Sequence, residues 1–154
     1  MMGRGRVVAI ASLAAPALFG GRASAAVRPT APPANGIVIS LSRQRLYEYH
    51  DGHLTDVLRV STASGRPYFS KRQHRWVRAT TPRGSFRIRA KARGWKRSAY
   101  GRLYYPNYYD RAGRALHGYR DLRSRHSHGC VRIPMRAARA FWRRNPVGTP
   151  VSIY

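Results

Sequence analysis

Period-two alternation constrains this chain more than any other feature. From Gly36 onward, apolar and polar residues alternate in short runs, and glycine, proline or aspartate punctuates them before most reach helix length. In "GIVISLSRQRLYEY" (36–49), Ile37, Ile39 and Leu41 alternate with Val38, Ser40 and Ser42, and Leu46, Tyr47 and Tyr49 suit a second strand beyond a polar turn. Asp51-Gly52 signals a tight turn. "LTDVLRVSTASG" (54–65) then reads as a third strand, so the first three strands are expected to form an antiparallel meander. "SFRIRAKA" (85–92) predicts one half-buried strand, with Phe86, Ile88 and Ala90 inward and Arg87, Arg89 and Lys91 outward. "RALHG" (114–118) fits a short strand ending at a histidine, and "GTPVSIY" (148–154) a turn and a last strand.

One segment has helical period instead. In "PMRAARAFWRRN" (134–145), Met135, Ala138, Phe141 and Trp142 share a face, and Pro134 suits a first turn. "RPYFSKRQHRWVRAT" (66–80) has no clear period and is expected to be a long, basic, partly aromatic loop. The tyrosines of 100–119 are expected chiefly to pack the core and the sheets, with some lining a substrate site. The expected fold is mainly β, a single domain over 36–154.

Two segments precede it. Residues 1–25 read as a signal peptide: a basic start, an apolar stretch from Val7 to Phe19, and a small-x-small site at Ala23–Ala25. Residues 26–35 form a proline-rich lead-in. No apolar run reaches the ~18 residues of a membrane span, so an integral membrane protein is not expected. Export to a periplasm, cell wall or extracellular space follows from the leader.

The formal net charge is +25, and loss of Arg4, Arg6 and Arg22 with the leader would lower it by three. Such a surface favours polyanions. For an exported protein these are anionic envelope polymers rather than nucleic acid. The arginines are scattered, so charge alone assigns no binding site.

Export also gives meaning to Cys130, the one cysteine. It cannot form an internal disulfide and is a buried small hydrophobe, an intermolecular bridge or a reactive thiol. His117, His126 and His128 lie near it in sequence, and Arg132 adds a fixed positive charge. A cysteine beside a histidine is a nucleophile-and-base arrangement. An extended "HGCVR" would point His128, Cys130 and Arg132 the same way, whereas His117, on a separate strand, would approach from across a groove. Gly129 would let backbone N–H groups face a reacting carbonyl as an oxyanion hole. The same histidines and Cys130 are conceivable zinc ligands, but they match no common paired spacing.

"SHGCVR" (127–132) resembles the signature of the L,D-transpeptidases, the YkuD-type catalytic domain. "IVISLSRQRLYEY", "VSTASG", "TPRGSFRI", "ALHG", "SHGCVRI" and "GTPVSI" follow that family's order from Ile37 to Ile153. The resemblance implies a β-sandwich with one or two short helices beside the catalytic cleft. It implies Cys130 as acylated nucleophile, His117 as proton acceptor and donor, and the Gly118 carbonyl as the group that orients His117. The N–H groups of Gly129 and Cys130 would hold the oxyanion, and Ser127, His128 and Arg132 would shape the site and seat the donor. The partners implied are peptidoglycan stem peptides, with no metal and no organic cofactor. The reaction implied is transfer of a stem acyl group, with release of D-alanine, to an amine of a second stem or of an envelope protein. Water as acceptor would make it a carboxypeptidase, and a non-catalytic wall-binding module is the reading from a different class. Two departures stand out. Only Gly118 to His126 separate His117 from Ser127, a short loop, and "PMRAAR" has no acidic residue.

Overall fold

A computed structural model describes residues 32–154; the predicted leader and most of the lead-in lie outside the described residues. The alternating runs become strands. β1 (Gly36–Ser40), β2 (Arg45–His50) and β3 (His53–Arg59) form the expected meander, with register pairs such as Ile39 opposite Leu46. β12 (Pro150–Ile153) comes from the far end of the domain and pairs with β1 in parallel, Ile37 beside Val151 and Ile39 beside Ile153. β6 (Gly84–Arg87) closes this sheet, whose order is β3-β2-β1-β12-β6. β1 is covered on both faces, which is why all five of its residues are buried.

The second sheet carries the order β11-β10-β9-β7, with β8 (Trp95–Ser98) also paired to β9. Its members are β7 (Ala90–Lys91), β9 (Gly101–Tyr108), β10 (Ala115–Tyr119) and β11 (Val131–Pro134). Ile37, Ile39, Val151 and Ile153 from the first sheet meet Leu116, Val131 and Ile133 from the second in one apolar cluster. β11 runs straight into helix α1 (Met135–Arg144), which packs on β9, β10 and β11 and buries Ala138 and Phe141. No side chain caps its N-terminus and its first turn holds no acid; Arg143 and Arg144 complement the dipole at the other end.

Two expectations are corrected. Residues 66–80 are not a loop: β4 (Pro67–Ser70) and β5 (Arg75–Arg78) form a separate two-stranded hairpin, Phe69 opposite Trp76 and Tyr68 opposite Val77. Its alternation is hidden because the outward positions also carry aromatic rings. "SFRIRAKA" is not one strand either. It crosses between sheets, ending β6 at Arg87 and starting β7 at Ala90, with Ile88 buried in the core and Ala90 exposed. The alternation persists through the crossover because Ile88 needs burial wherever the backbone turns.

Candidate active site

β10 and β11 lie side by side in parallel, Leu116 beside Val131 and His117 beside Arg132. Alternation along β10 sends Leu116 and Gly118 toward the core and α1, and Ala115, His117 and Tyr119 to the opposite face. A Cβ on Gly118 would come within 2.8 Å of Ala138 Cβ and 2.9 Å of Tyr104 Cδ1, so glycine is what lets α1 sit close behind the strand that carries His117. On the other face, Cys130, His117, His128, Arg132, Tyr108 and Tyr119 share a cavity of about 430 Å³. A larger concavity of about 680 Å³, among Arg59, Arg120, Asp121, Arg123 and Arg136, holds no cysteine, serine or histidine, and its one carboxylate, Asp121, is paired with Arg123.

His117 is 2% exposed, and its Nδ1 lies 3.1 Å from the Gly118 carbonyl oxygen. A carbonyl can only accept, so Nδ1 carries the hydrogen and Nε2 keeps its lone pair. Burial pushes the His117 pKa down to about 4; the bond to Gly118 opposes that and the charge of Arg132 adds to it. The ring is therefore neutral at pH 7. Opposite His117 the β9–β10 ladder slips, and Tyr105 in β9 takes a left-handed φ of 47°. Tyr119 stands edge-on to His117 and beneath the Arg132 guanidinium, 3.8 Å from ring centroid to Cζ.

The segment before β11 is fixed from several sides. Ser127 Oγ donates to the Cys130 carbonyl at 2.6 Å and accepts the Gly129 N–H at 3.2 Å. Two buried hydroxyls, Thr81 Oγ1 and Tyr109 OH, each donate to the Gly129 carbonyl at 3.1 Å. The peptide Gly129–Cys130 is thereby pinned with its carbonyl inward. Its other end, the Cys130 N–H, points the opposite way and has no acceptor among the described residues. A Cβ at Gly129 would meet Arg114 Nε at 2.7 Å and the Thr80 carbonyl oxygen at 3.1 Å, so only glycine passes there. The Ser61–Ser64 stretch braces the same segment through mutual backbone bonds between Ser61 and Arg132 and between Thr62 or Ser64 and Ser127.

The structure places His117, Ser127, His128, Cys130 and Arg132 on one cavity and leaves His126 outside it. Of the two N–H groups named for an oxyanion, that of Gly129 is engaged by Ser127 and that of Cys130 is not. His128 does not run beside the thiol on one extended segment, since β11 begins only at Val131. Its exposed ring is stacked on Tyr100 at 4.8 Å and set edge-on to Tyr68 at 4.5 Å. Burial pushes the Cys130 thiol up, and a backbone hydrogen bond from Ala115 with the charges of Arg132 and Arg114 only partly offsets it. Thiol and imidazole are thus both neutral at rest. His126 lies apart on the surface, paired with Ser124. Among the described residues no three of His, Cys, Asp or Glu converge as a metal site.

Sequence reasoning missed Thr81 and Tyr109. "TPRG" was legible only as a turn, and Tyr109 only as one of several tyrosines. The tyrosines divide: Tyr105 and Tyr109 belong to the core, and Tyr100, Tyr108 and Tyr119 line the cavity.

A family model described as the L,D-transpeptidase catalytic domain matches residues 34–153. Among solved structures, an L,D-transpeptidase fragment from Xylanimonas cellulosilytica is 35% identical with a TM-score of 0.72, covering 83% of this chain and 65% of that one. An L,D-transpeptidase from Mycobacterium smegmatis is 18% identical with a TM-score of 0.60, covering 77% and 57%. L,D-transpeptidase 3 from Mycobacterium tuberculosis, in complex with a faropenem-derived adduct, is 22% identical with a TM-score of 0.60, covering 79% and 60%. The chain spans about three fifths of the length of these relatives. No curated protein matches it.

Proposed function

The chain belongs to the L,D-transpeptidase catalytic-domain family, and from that premise we propose that it is an exported cysteine acyltransferase acting on peptidoglycan stem peptides. The observation that carries the reading is a buried, neutral His117, oriented by the Gly118 carbonyl, on the same cavity as the chain's only thiol.

In this reading the Cys130 thiol gives its proton to His117 Nε2 as Sγ attacks the carbonyl carbon of the third stem residue. A neutral resting pair suits this, because charge separates only when substrate is in place. The Cys130 N–H donates a hydrogen bond to the developing oxyanion, and the pinned Gly129 carbonyl keeps that donor aimed. Collapse breaks the C–N bond. His117 returns the proton to the leaving amine, D-alanine departs, and a thioester remains on Cys130. An acceptor amine then attacks the thioester, loses a proton to His117, and frees the thiol. Arg132, whose charge is stacked on Tyr119, lies in the cavity as a partner for a donor carboxylate. Ser127 acts through its two bonds to the Gly129–Cys130 segment.

The test is incubation of the protein with purified disaccharide-tetrapeptide, read by mass spectrometry. Expected are loss of D-alanine, a thioester adduct on Cys130 and a crosslinked dimer. Free tripeptide as the sole product would assign the hydrolytic carboxypeptidase reading instead. Faropenem should likewise add mass at Cys130. A Cys130→Ser variant should fold and not turn over; turnover equal to wild type in that variant would sink the mechanism.

A further inference from the structure

The β4–β5 hairpin has two unlike faces. Tyr68 and Val77 are half-buried on the inner one, and Tyr68 packs edge-on against His128 at the mouth of the cavity. Phe69 and Trp76, paired across the strands, face outward, 48% and 70% exposed, with ring centroids 6.1 Å apart. Pro67, beside Arg78 in the register, extends this outer strip. An isolated two-stranded ribbon is marginal alone. This one is held by its inner contacts, by the Lys71 N–H bond to Tyr100 OH, and by backbone bonds at its base between Gly65, Arg66 and Ala79. Neither outer ring is needed for that anchoring. An indole so exposed forgoes the stabilisation its burial would give, and paired exposed aromatics mark a binding surface.

The charge around these rings is of one sign. Residues 66–78 carry Arg66, Lys71, Arg72, Arg75 and Arg78, and no acidic residue occurs between Asp56 and Asp110. We propose that the outer face of the hairpin is a docking platform for the glycan strand of peptidoglycan: the apolar faces of sugar rings stack on Trp76 and Phe69, and stem carboxylates pair with the surrounding cations. This rests on the acyltransferase reading of the cavity. The partner follows from three observations. Two rings in an edge-on pair match the area of a sugar or two, whereas a lipid surface is gripped by an apolar face running along many residues. The cations complement peptide carboxylates. The inner face of the same ribbon borders the cavity, so a glycan on the outer face is one layer of sheet from Cys130. An extended stem of four residues spans roughly 13 Å at ~3.3 Å per residue, the reach that would carry it from the outer face round the hairpin edge.

Co-sedimentation with purified sacculi tests this, at an ionic strength of about 0.3 M so that diffuse attraction by the net charge is screened. Trp76→Ala should weaken binding at least ~fivefold, as truncation of a central aromatic does. Trp76→Tyr, which keeps a ring, should retain most of it. Melting temperatures establish that both variants fold. Phosphatidylglycerol vesicles are the competing surface. Wild-type binding to sacculi by Trp76→Ala, or a Trp76 dependence seen with the vesicles and not with sacculi, would overturn the platform. The two readings fail separately. Turnover of disaccharide-tetrapeptide with Trp76-independent sacculus binding removes only the platform, and Trp76-dependent binding without turnover removes only the enzyme.

Discussion

Burial keeps the His117 imidazole neutral down to about pH 4. A general base works only while unprotonated, so lowering its pKa extends activity toward acid. The acid limb of kcat/KM for acylation is therefore expected closer to pH 4 than to 6.5, the ordinary histidine value, and a midpoint at or above 6.5 would remove His117 as the base. In the proposed reaction Tyr109 would act at one remove, through its bond to the Gly129 carbonyl. Tyr109→Phe deletes that bond and leaves Thr81 holding the carbonyl alone. We expect kcat to fall about tenfold with KM and the pH profile little changed, short of the ~10²–10³ lost when an oxyanion donor itself is removed. A change in KM alone, measured by steady-state kinetics, would contradict this. The meeting of Cys130 and His117 on one cavity was legible in the sequence because a lone cysteine and a histidine stand out when each is set in a short glycine-bearing motif. The hydroxyls of Thr81 and Tyr109 were not, because a hydroxyl is common and its partner carbonyl stands 48 and 20 residues away.

At the scale of elements, two of the joints between α1 and the rest of the domain bear on the site and on its far end. Behind the site, Gly118 admits Ala138. At its C-terminus, Arg144 Nε and Nη2 grip the buried Glu48 of β2 at 2.9 and 2.7 Å, with Asn145 and His50 completing the carboxylate's bonds. Burial raises the Glu48 pKa, but the bonds from Arg144, His50 and Asn145 outweigh it and leave a net lowering. Gly118→Ala drives a methyl into Ala138 and Tyr104. The expected loss is about 1–3 kcal/mol of stability, typical of overpacking, together with slower acylation as β10 and His117 shift. Urea unfolding and faropenem acylation rates check both, and a variant unchanged in each would mean that the helix yields freely. The meander, the helix and the last strand were readable from period alone. The hairpin and the β6–β7 crossover were not, because period reports which residues seek burial and not which sheet provides it.

For the whole molecule the governing quantity is charge. Thirty basic residues face five acidic ones, and among the described residues only Arg114, Arg123 and Arg144 are paired with carboxylates. Unpaired like charges repel and destabilise the compact state. Salt should therefore raise the melting temperature, with a gain of about 1 kcal/mol moving it by roughly 4–8 °C. Calorimetry from about 0.01 to 0.5 M sodium chloride would show it, spanning Debye lengths of about 30 Å down to a few ångströms; a fall over that range would mean that the few ion pairs dominate. Pairing between β1 and β12 has a mechanical consequence. The two strands run parallel in the middle of one sheet though they come from opposite ends of the domain. Tension drawing the start of β1 away from the end of β12 runs along the strands, so their shared hydrogen bonds are loaded together in shear instead of peeling one at a time. The domain is thereby clamped along the line on which a pull at the start of β1 and the end of β12 would fall.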